Sequence, residues 1–261
     1  LSKHPNFHWI HFNVTEVKES DTSIEILTGE SSIEISEHVF DSRVSEQFNT
    51  DTASIKLLQH FKGWVIETIE NCFDDSSFIM MDFSLIWKDT TSFTYVLPHS
   101  PNRALVEFTF FSPSLVDDES YDQMLKKYIT DHLGIKDFSI SEVEQGIIPM
   151  SDYPFHKHHT THITKIGTAG GWVKPSSGYS FRNALKLSKQ LIQNIADGNH
   201  PSKGLLNSKF RFYDSVFLDV LFNNNHRGPG LFADMYEKNS VTKIFKFLNE
   251  ETTLPEDVKI L

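Results

Sequence analysis

The sequence predicts an α/β fold, α+β over these residues, on three observations. Apolar residues alternate through the first half, a glycine-rich loop occupies residues 167–171, and helical spacing runs through the remainder. Phe7 and Trp9, then Ile10, Phe12 and Val14, alternate, as do Ile33 and Ile35 beyond the polar turn Thr28-Gly29-Glu30-Ser31, so the first quarter is expected as strands with a hairpin. Trp64 to Thr68, Phe78 to Phe83, Phe93 to Leu97 and Ala104 to Phe111 read as strands of an antiparallel sheet. Tyr121, Leu125, Tyr128 and Ile129 then fall at helical spacing between the acidic Asp117-Asp118-Glu119-Ser120 and Gly134. A second helix, starting near Tyr179, aligns Ala184, Leu187, Leu191, Ile192 and Ile195 on one face and closes at Gly198. The tail is expected to be helical, with Tyr213, Val216, Phe217, Val220 and Leu221 on one face and Val241, Ile244, Phe245 and Leu248 on another, broken at Asn223-Asn224-Asn225 and Gly228-Pro229-Gly230.

Composition narrows the function. Thirty-five acidic against 24 basic residues give a formal charge of -11, with no basic run to meet a phosphate backbone, so nucleic acid is not an expected partner. Any contact with anionic lipid would have to be apolar, which 22 Phe residues leave open. No apolar run approaches the roughly 20 residues that cross a bilayer, and Leu1-Ser2-Lys3-His4 resembles neither a signal nor a transit peptide. The single cysteine, Cys72, cannot form an internal disulfide and reads as packing beside Phe73.

Between the strand-like His162-Ile163-Thr164-Lys165-Ile166 and the following helix lies Gly167-Thr168-Ala169-Gly170-Gly171. Glycines there let backbone N–H groups approach a ligand, and a helix N-terminus favours a phosphate or another electron-rich group. The dinucleotide fingerprint Gly-x-Gly-x-x-Gly is not matched, and a tight structural turn explains the bare pattern equally well. His156, His158, His159 and His162 lack a companion Asp, Glu or Cys at ligand spacing, so no metal site is expected.

The extended segment Gly167 to Phe181, with Trp172-Val173-Lys174-Pro175-Ser176-Ser177-Gly178-Tyr179-Ser180, resembles the C-terminal flavin-binding segment of the lycopene cyclases. Further blocks fit that family in order: Val39 to Arg43, Gln59 to Trp64, Phe73-Asp74 with Met81-Asp82-Phe83, Tyr95 to Pro98 with Ser100 to Glu107, and Glu144 to Met150. The resemblance implies an FAD/NAD(P)-binding flavoprotein of the aromatic-hydroxylase type, with an antiparallel substrate-domain sheet and a helical C-terminal tail. It implies the division 1–45 as a remnant of the FAD-binding domain, 46–150 as the substrate domain, 151–200 as the C-terminal FAD-binding segment and 201–261 as the tail. About another hundred residues, carrying the first flavin fingerprint, are expected upstream.

The same resemblance implies acid-initiated cyclisation of the ψ end of lycopene, or a related linear carotenoid, to a β-ionone ring. Reduced FAD serves there as a non-redox cofactor, with NAD(P)H as reductant. The family places an essential glutamate in the block holding Glu107, and Phe108 stands where many members have a second one. On a strand Glu107 shares its face with Leu105 and Thr109, while Val106, Phe108 and Phe110 point the other way. A carboxyl in so apolar a stretch should resist ionisation, although a solvated surface glutamate fits the bare sequence too. Cofactor contacts are expected from Gly167, Thr168, Ala169, Gly170, Gly171, Lys174, Pro175, Ser176, Gly178 and Tyr179. Asp41 and Arg43 either join them or form a structural salt bridge. Asp82, Arg103, Trp64 and Tyr95 are substrate-site candidates, against the alternatives of a turn aspartate, an exposed arginine and core aromatics. The expected location is cytoplasmic, peripheral on the inner face of the membrane. A flavin-dependent monooxygenase or reductase of the same fold, or an inactive truncated chain, are the competing readings.

Overall fold

Alternating apolar residues become strands in the computed structural model wherever a partner strand is available; the structure describes residues 4–21, 23–29, 31–35 and 37–260. The chain divides into a smaller unit, Leu1–Ser45 with Pro154–Trp172 and Leu187–Leu205, and a larger one, Glu46–Tyr153 with Val173–Lys186 and Leu206–Leu261. In the smaller unit β1 (Val14–Glu19), β2 (Ile24–Thr28) and β3 (Ser32–Ile35) form an antiparallel meander that pairs Ile24 with Ile35 and Ile26 with Ile33. The expected hairpin is present: the Ser31 carbonyl accepts from Thr28 N at 2.8 Å and Thr28 Oγ1 at 2.9 Å. Glu30 of that turn, and Leu1-Ser2-Lys3 of the N-terminus, lie outside the described residues. Phe7 to Phe12, expected as strand, are not one; Trp9 and Ile10 are exposed, and alternation without a partner strand leaves backbone groups to water. A short strand β4 (Val39–Asp41) follows.

After the short helix α1 (Glu46–Thr50), the larger unit is built on five antiparallel strands: β5 (Lys56–Glu67), β6 (Ile79–Asp82), β7 (Thr91–Ser100), β8 (Arg103–Ser112) and β9 (Ser139–Ser151). Their order is β6-β7-β8-β5-β9. The four expected strand runs all coincide with strands, although β5 starts well before Trp64. β9 shows no usable alternation because it is an edge strand, exposed along most of its first half. Helix α2 (Asp118–Lys127) begins where expected: the Asp117 side chain accepts from Ser120 N at 2.8 Å, and a wider π turn carries it to His132. Its Tyr121, Met124, Leu125 and Tyr128 cover one sheet face against Trp64, Val106, Phe108 and Phe110. The opposite face buries Phe93 and Phe111 under Leu218, Leu221 and Phe232. Each fully buried Phe is worth about 1.5–3 kcal/mol, which fixes β8 from both sides.

In the smaller unit β10 (Ile163–Lys165) then pairs parallel with β4, Lys165 opposite Asp41. Helix α3 (Phe181–Ala196), counted with the larger unit up to Lys186 and with the smaller from Leu187, starts two positions beyond the expected Tyr179, separated from the glycines by an irregular stretch. Its buried positions are Leu187, Leu191 and Asn194, whereas Ile192 and Ile195 are exposed. The polar Asn194 belongs inside because its amide donates to the carbonyls of Pro201 (2.9 Å) and Lys203 (2.7 Å). Gly198 closes the helix at φ +69°.

The tail folds as α4 (Ser208–Asn223), α5 (Gly228–Lys238), α6 (Val241–Leu248) and α7 (Leu254–Ile260). Two expectations are corrected. Gly228-Pro229-Gly230 starts α5 rather than breaking a helix, since proline near N1 lacks only a donor that would be unpaired there. The buried positions of α4 are Phe210, Asp214, Leu218 and Leu221, while Val216 is exposed, because an aspartate sits on the inner face.

Candidate active site

β8 carries Glu107 between two neighbours in register: Tyr95 on β7 and Gly63 on β5, with Glu144 of β9 opposite Gly63 on the far side. The strand turns Val106, Phe108 and Phe110 into the α2 face, as the alternation predicted, and Glu107 to the other face. Thr109 Oγ1 donates to Glu107 Oε1 at 2.7 Å. Burial, reinforced by a hydrogen bond and like charge from Glu144, pushes the Glu107 carboxyl up to about 8 against the opposing Thr109 bond. The sequence anticipated resistance to ionisation; it did not show that a second carboxyl shares the site.

Glu107 opens onto a cavity of about 610 Å3 contained in the larger unit. The sheet supplies its floor through Gln59, Tyr95, Leu97, Glu107 and Ile148; α6 adds Phe245 and Leu248. Phe78, Leu97 and Phe181 line it while remaining exposed, Phe181 by 76%. Tyr95 and Tyr179 face each other with hydroxyls 3.4 Å apart, and burial pushes both phenols up. The first turn of α3, Phe181 to Asn183, also lines the cavity. Beside them Gly178 sits at φ +70°, and a Cβ there would overlap the amide oxygen of Gln59. That oxygen is buried with no hydrogen-bond partner among the described residues. A close-approach glycine, an unpaired acceptor and a helix N-terminus at one wall fit the N–H-bearing, electron-rich edge of a flavin ring.

The other sequence candidates divide between the units. Trp64 is buried in the α2 face, away from the cavity. Asp82 accepts from the Tyr128 hydroxyl at 2.5 Å and from Ser84 N at 2.8 Å; burial opposes its ionisation, but these bonds hold it below its ordinary value. Arg103 spans Glu67 (3.2 Å) and Glu142 (2.5 Å). None of these three lines the cavity, whereas Tyr95, Lys174, Gly178 and Tyr179 do. The Lys174 ammonium is engaged internally: it lies 2.9 Å and 3.0 Å from the two carboxylate oxygens of Asp214 and 3.6 Å from Glu250. Ser176 donates to Asp214 at 2.5 Å, and Pro175 lies between them in sequence. Burial pushes Glu250 up, with Lys174 pulling the other way.

In the smaller unit Asp41 accepts from Arg43 Nε (3.0 Å) and Nη2 (3.1 Å) and from Lys165 Nζ (2.7 Å). Burial opposes its charge, yet these partners hold it at about 2, which is the salt-bridge alternative realised. Gly167, Thr168, Ala169 and Gly170 form a single 3₁₀ turn after β10, and Gly171 follows at φ +72°. A Cβ on Gly170 would come within 2.5 Å of the Lys165 carbonyl, so the turn itself requires a glycine there. His159 accepts from Lys165 N through Nδ1, and burial holds it down at about 4. Among the described residues no group of three or more His, Cys, Asp or Glu is placed to hold a metal. Sequence reasoning missed Glu144, Gln59, Asp214 and Glu250. For Glu144 a signal existed, since it opens one of the family-like blocks, but nothing local ties it to Glu107.

The family model described as lycopene cyclase protein matches residues 8–261. Lycopene beta cyclase of Nicotiana tabacum is 29% identical over 167 residues, 56% of this chain and 31% of that protein. A neoxanthin synthase of Solanum tuberosum is 28% identical over 155 residues, 52% of this chain and 29% of that protein. The matched region therefore spans less than a third of these relatives' length. Among solved structures, HpxO of Klebsiella pneumoniae, a variant complexed with FAD, superposes with a TM-score of 0.53 at 12% identity, covering 95% of this chain and 65% of that one. A geranylgeranyl bacteriochlorophyll reductase-like protein from Thermoplasma acidophilum gives 0.52 at 12%, with the same coverage. At such identity the likeness concerns the fold alone, and the fold is the α/β flavoprotein type the sequence predicted.

Proposed function

The chain belongs to the lycopene cyclase family, and from that premise we propose that it acts in carotenoid biosynthesis as an intramolecular isomerase closing the ψ end of lycopene to a β-ionone ring. The observation that carries this reading is Glu107, a buried carboxyl bonded to Thr109 and raised to about 8, on the floor of a cavity whose apolar lining includes Phe78, Met80, Leu97, Ile148, Phe245 and Leu248. A group that keeps its proton near neutrality can give it to an alkene, a weak base. Glu107 protonates the terminal double bond, the adjacent double bond attacks the cation to close a six-membered ring, and loss of a proton restores neutrality. Tyr95 and Tyr179 line the same space, where an aromatic quadrupole favours positive charge.

FAD is the proposed cofactor: bound and reduced, with NAD(P)H as reductant, it would supply negative charge that stabilises the cation. In the larger unit Gly178, Tyr179 and the first turn of α3 are the residues offered to it. No helix among the described residues is long and apolar enough to cross a membrane. Exposed Phe78, Leu97 and Phe181 around the cavity support a peripheral contact through which a lipid-dissolved polyene enters, and we place the protein on the cytoplasmic face. The test is conversion of red lycopene by the full-length protein expressed in lycopene-producing cells. Cyclised product, abolished by Glu107→Gln, is expected; unchanged pigment with the unaltered protein removes the assignment. Consumption of NAD(P)H in step with substrate would instead identify a flavin-dependent monooxygenase or reductase on this fold.

A further inference from the structure

Two strands apart in a sheet, facing residues lie roughly 10 Å from one another, and the residue between them normally separates their side chains. Glu107 and Glu144 occupy such positions, on β8 and β9, and the residue between them on β5 is Gly63. A Cβ on Gly63 would come within 2.8 Å of Leu105 Cδ1, 3.0 Å of Glu144 Cγ and 3.1 Å of its Oε1, so the Glu144 side chain lies over the glycine beside Leu105. There it meets the Glu107 carboxyl, whose Oε1 already accepts from Thr109.

We infer that Glu144 is a positioning residue for Glu107: through the gap left by Gly63 the two carboxyls share one proton, which keeps Glu107 in its acid form facing the cavity. This rests on Glu107 being the acid of the proposed cyclisation. No cation neutralises the pair, because Glu107 makes no ion pair among the described residues. Arg103 at the end of β8 is held by Glu67 and by Glu142 of β9, Lys62 of β5 points to the other face and is held by Asp118 and Asp122, and Lys174 is held by Asp214 and Glu250. From β7 the facing group is Tyr95, from the α3 side Tyr179, Arg182 and Lys186, and from the turn after α6 Glu250 and Glu251. Two adjacent carboxylates with no counterion resist ionising together, so the proton belongs to the pair. Delivery of that proton to the alkene leaves both carboxylates ionised beside a cation. The proton released after ring closure returns to the pair, so no other acid or base is consumed.

The titration of glutamate carboxyls in the 261-residue chain, followed by 13C NMR of labelled glutamate, tests the pairing without any turnover. One carboxyl is expected to titrate near pH 8 and to vanish in Glu107→Gln. Glu144→Gln removes the like charge and offers an amide N–H to the ionised form, so the Glu107 midpoint is expected to fall by about one pH unit or more. Glu144 is exposed, so its replacement spares the core. In the full-length enzyme Glu144→Gln should leave the rate at acid pH and lower kcat about tenfold for each unit above the new midpoint. A merely structural role would depress the rate at every pH. An unchanged Glu107 midpoint in Glu144→Gln overturns the pairing even if lycopene is cyclised. A shifted midpoint in a protein that leaves lycopene unconverted upholds the pairing and overturns the function.

Discussion

Asp214→Ala breaks the buried ion pair that holds Lys174 at the wall of the cavity. Lys174 and Asp214 are each only 4% exposed, joined through both carboxylate oxygens, and Ser176 adds a third bond to the aspartate. Removing the carboxylate leaves a buried ammonium whose remaining partners are Glu250 at 3.6 Å and the face of Phe210 at 5.3 Å. Breaking a buried pair typically costs 3–5 kcal/mol, and the residual glutamate places this site near the lower end, about 3 kcal/mol. For a domain of this size that is a fall of roughly 6–12 °C in the unfolding midpoint. Differential scanning calorimetry of the chain reads it directly. The double replacement Lys174→Met with Asp214→Leu should recover most of the loss, because apolar groups of similar volume need no compensation for desolvated charge. A fall below about 2 °C for Asp214→Ala, or a double variant as damaged as the single one, would refute the claim that this pair is buried and mutually dependent.

Gly178→Ala combines backbone strain at φ +70° with overlap on the Gln59 amide, so it should cost roughly 1–3 kcal/mol and weaken flavin binding measured by fluorescence titration. Gly198→Ala, at φ +69° in open space, controls for strain alone and should leave flavin affinity unchanged. His60 is buried between Tyr121 and Ser112, and burial lowers it to about 4. Its unfolded form binds a proton below about 6.5, so stability from this group is complete above that pH and is lost as pH falls toward 4. Urea midpoints across that window should fall less steeply in His60→Gln than in the parent. Asp117→Ala removes the cap of α2 and should cost about 1 kcal/mol by urea unfolding.

Where one face of an element is consistently apolar, local pattern was enough to find it. β8, α2 and the Thr28–Ser31 hairpin fall where expected because each local preference agrees with its tertiary surroundings. The failures have a common cause in groups satisfied at a distance. Asp214 and Asn194 occupy buried helix positions because Lys174 and Ser176, or the Pro201 and Lys203 carbonyls, satisfy them, so the buried stripe departs from the one the apolar residues mark. Phe7 to Phe12 alternate convincingly yet have no strand to pair with. At the site, Glu107 was legible through its apolar neighbours. Glu144 was not, since it lies in an exposed edge strand and reaches Glu107 only through a glycine on a third strand.

That same glycine explains how an acid can be held without being neutralised. Phe108 and Phe110 anchor one side of β8 in the α2 core and Phe111 anchors the other, so the strand cannot shift to relieve a strained carboxyl. At Glu107 the bond from Thr109 favours the charged form, while burial and the neighbouring Glu144 carboxyl oppose it. A lysine or arginine in place of Glu144 would satisfy the carboxylate better and make the site more stable, but it would remove the proton. A second glutamate across Gly63 is the less stabilising choice and the one that keeps the acid charged with a proton; Glu144→Lys should therefore raise the calorimetric midpoint while abolishing conversion of lycopene. If Glu144→Lys kept full activity, a protonated Glu107 would not be what the cavity is built to maintain.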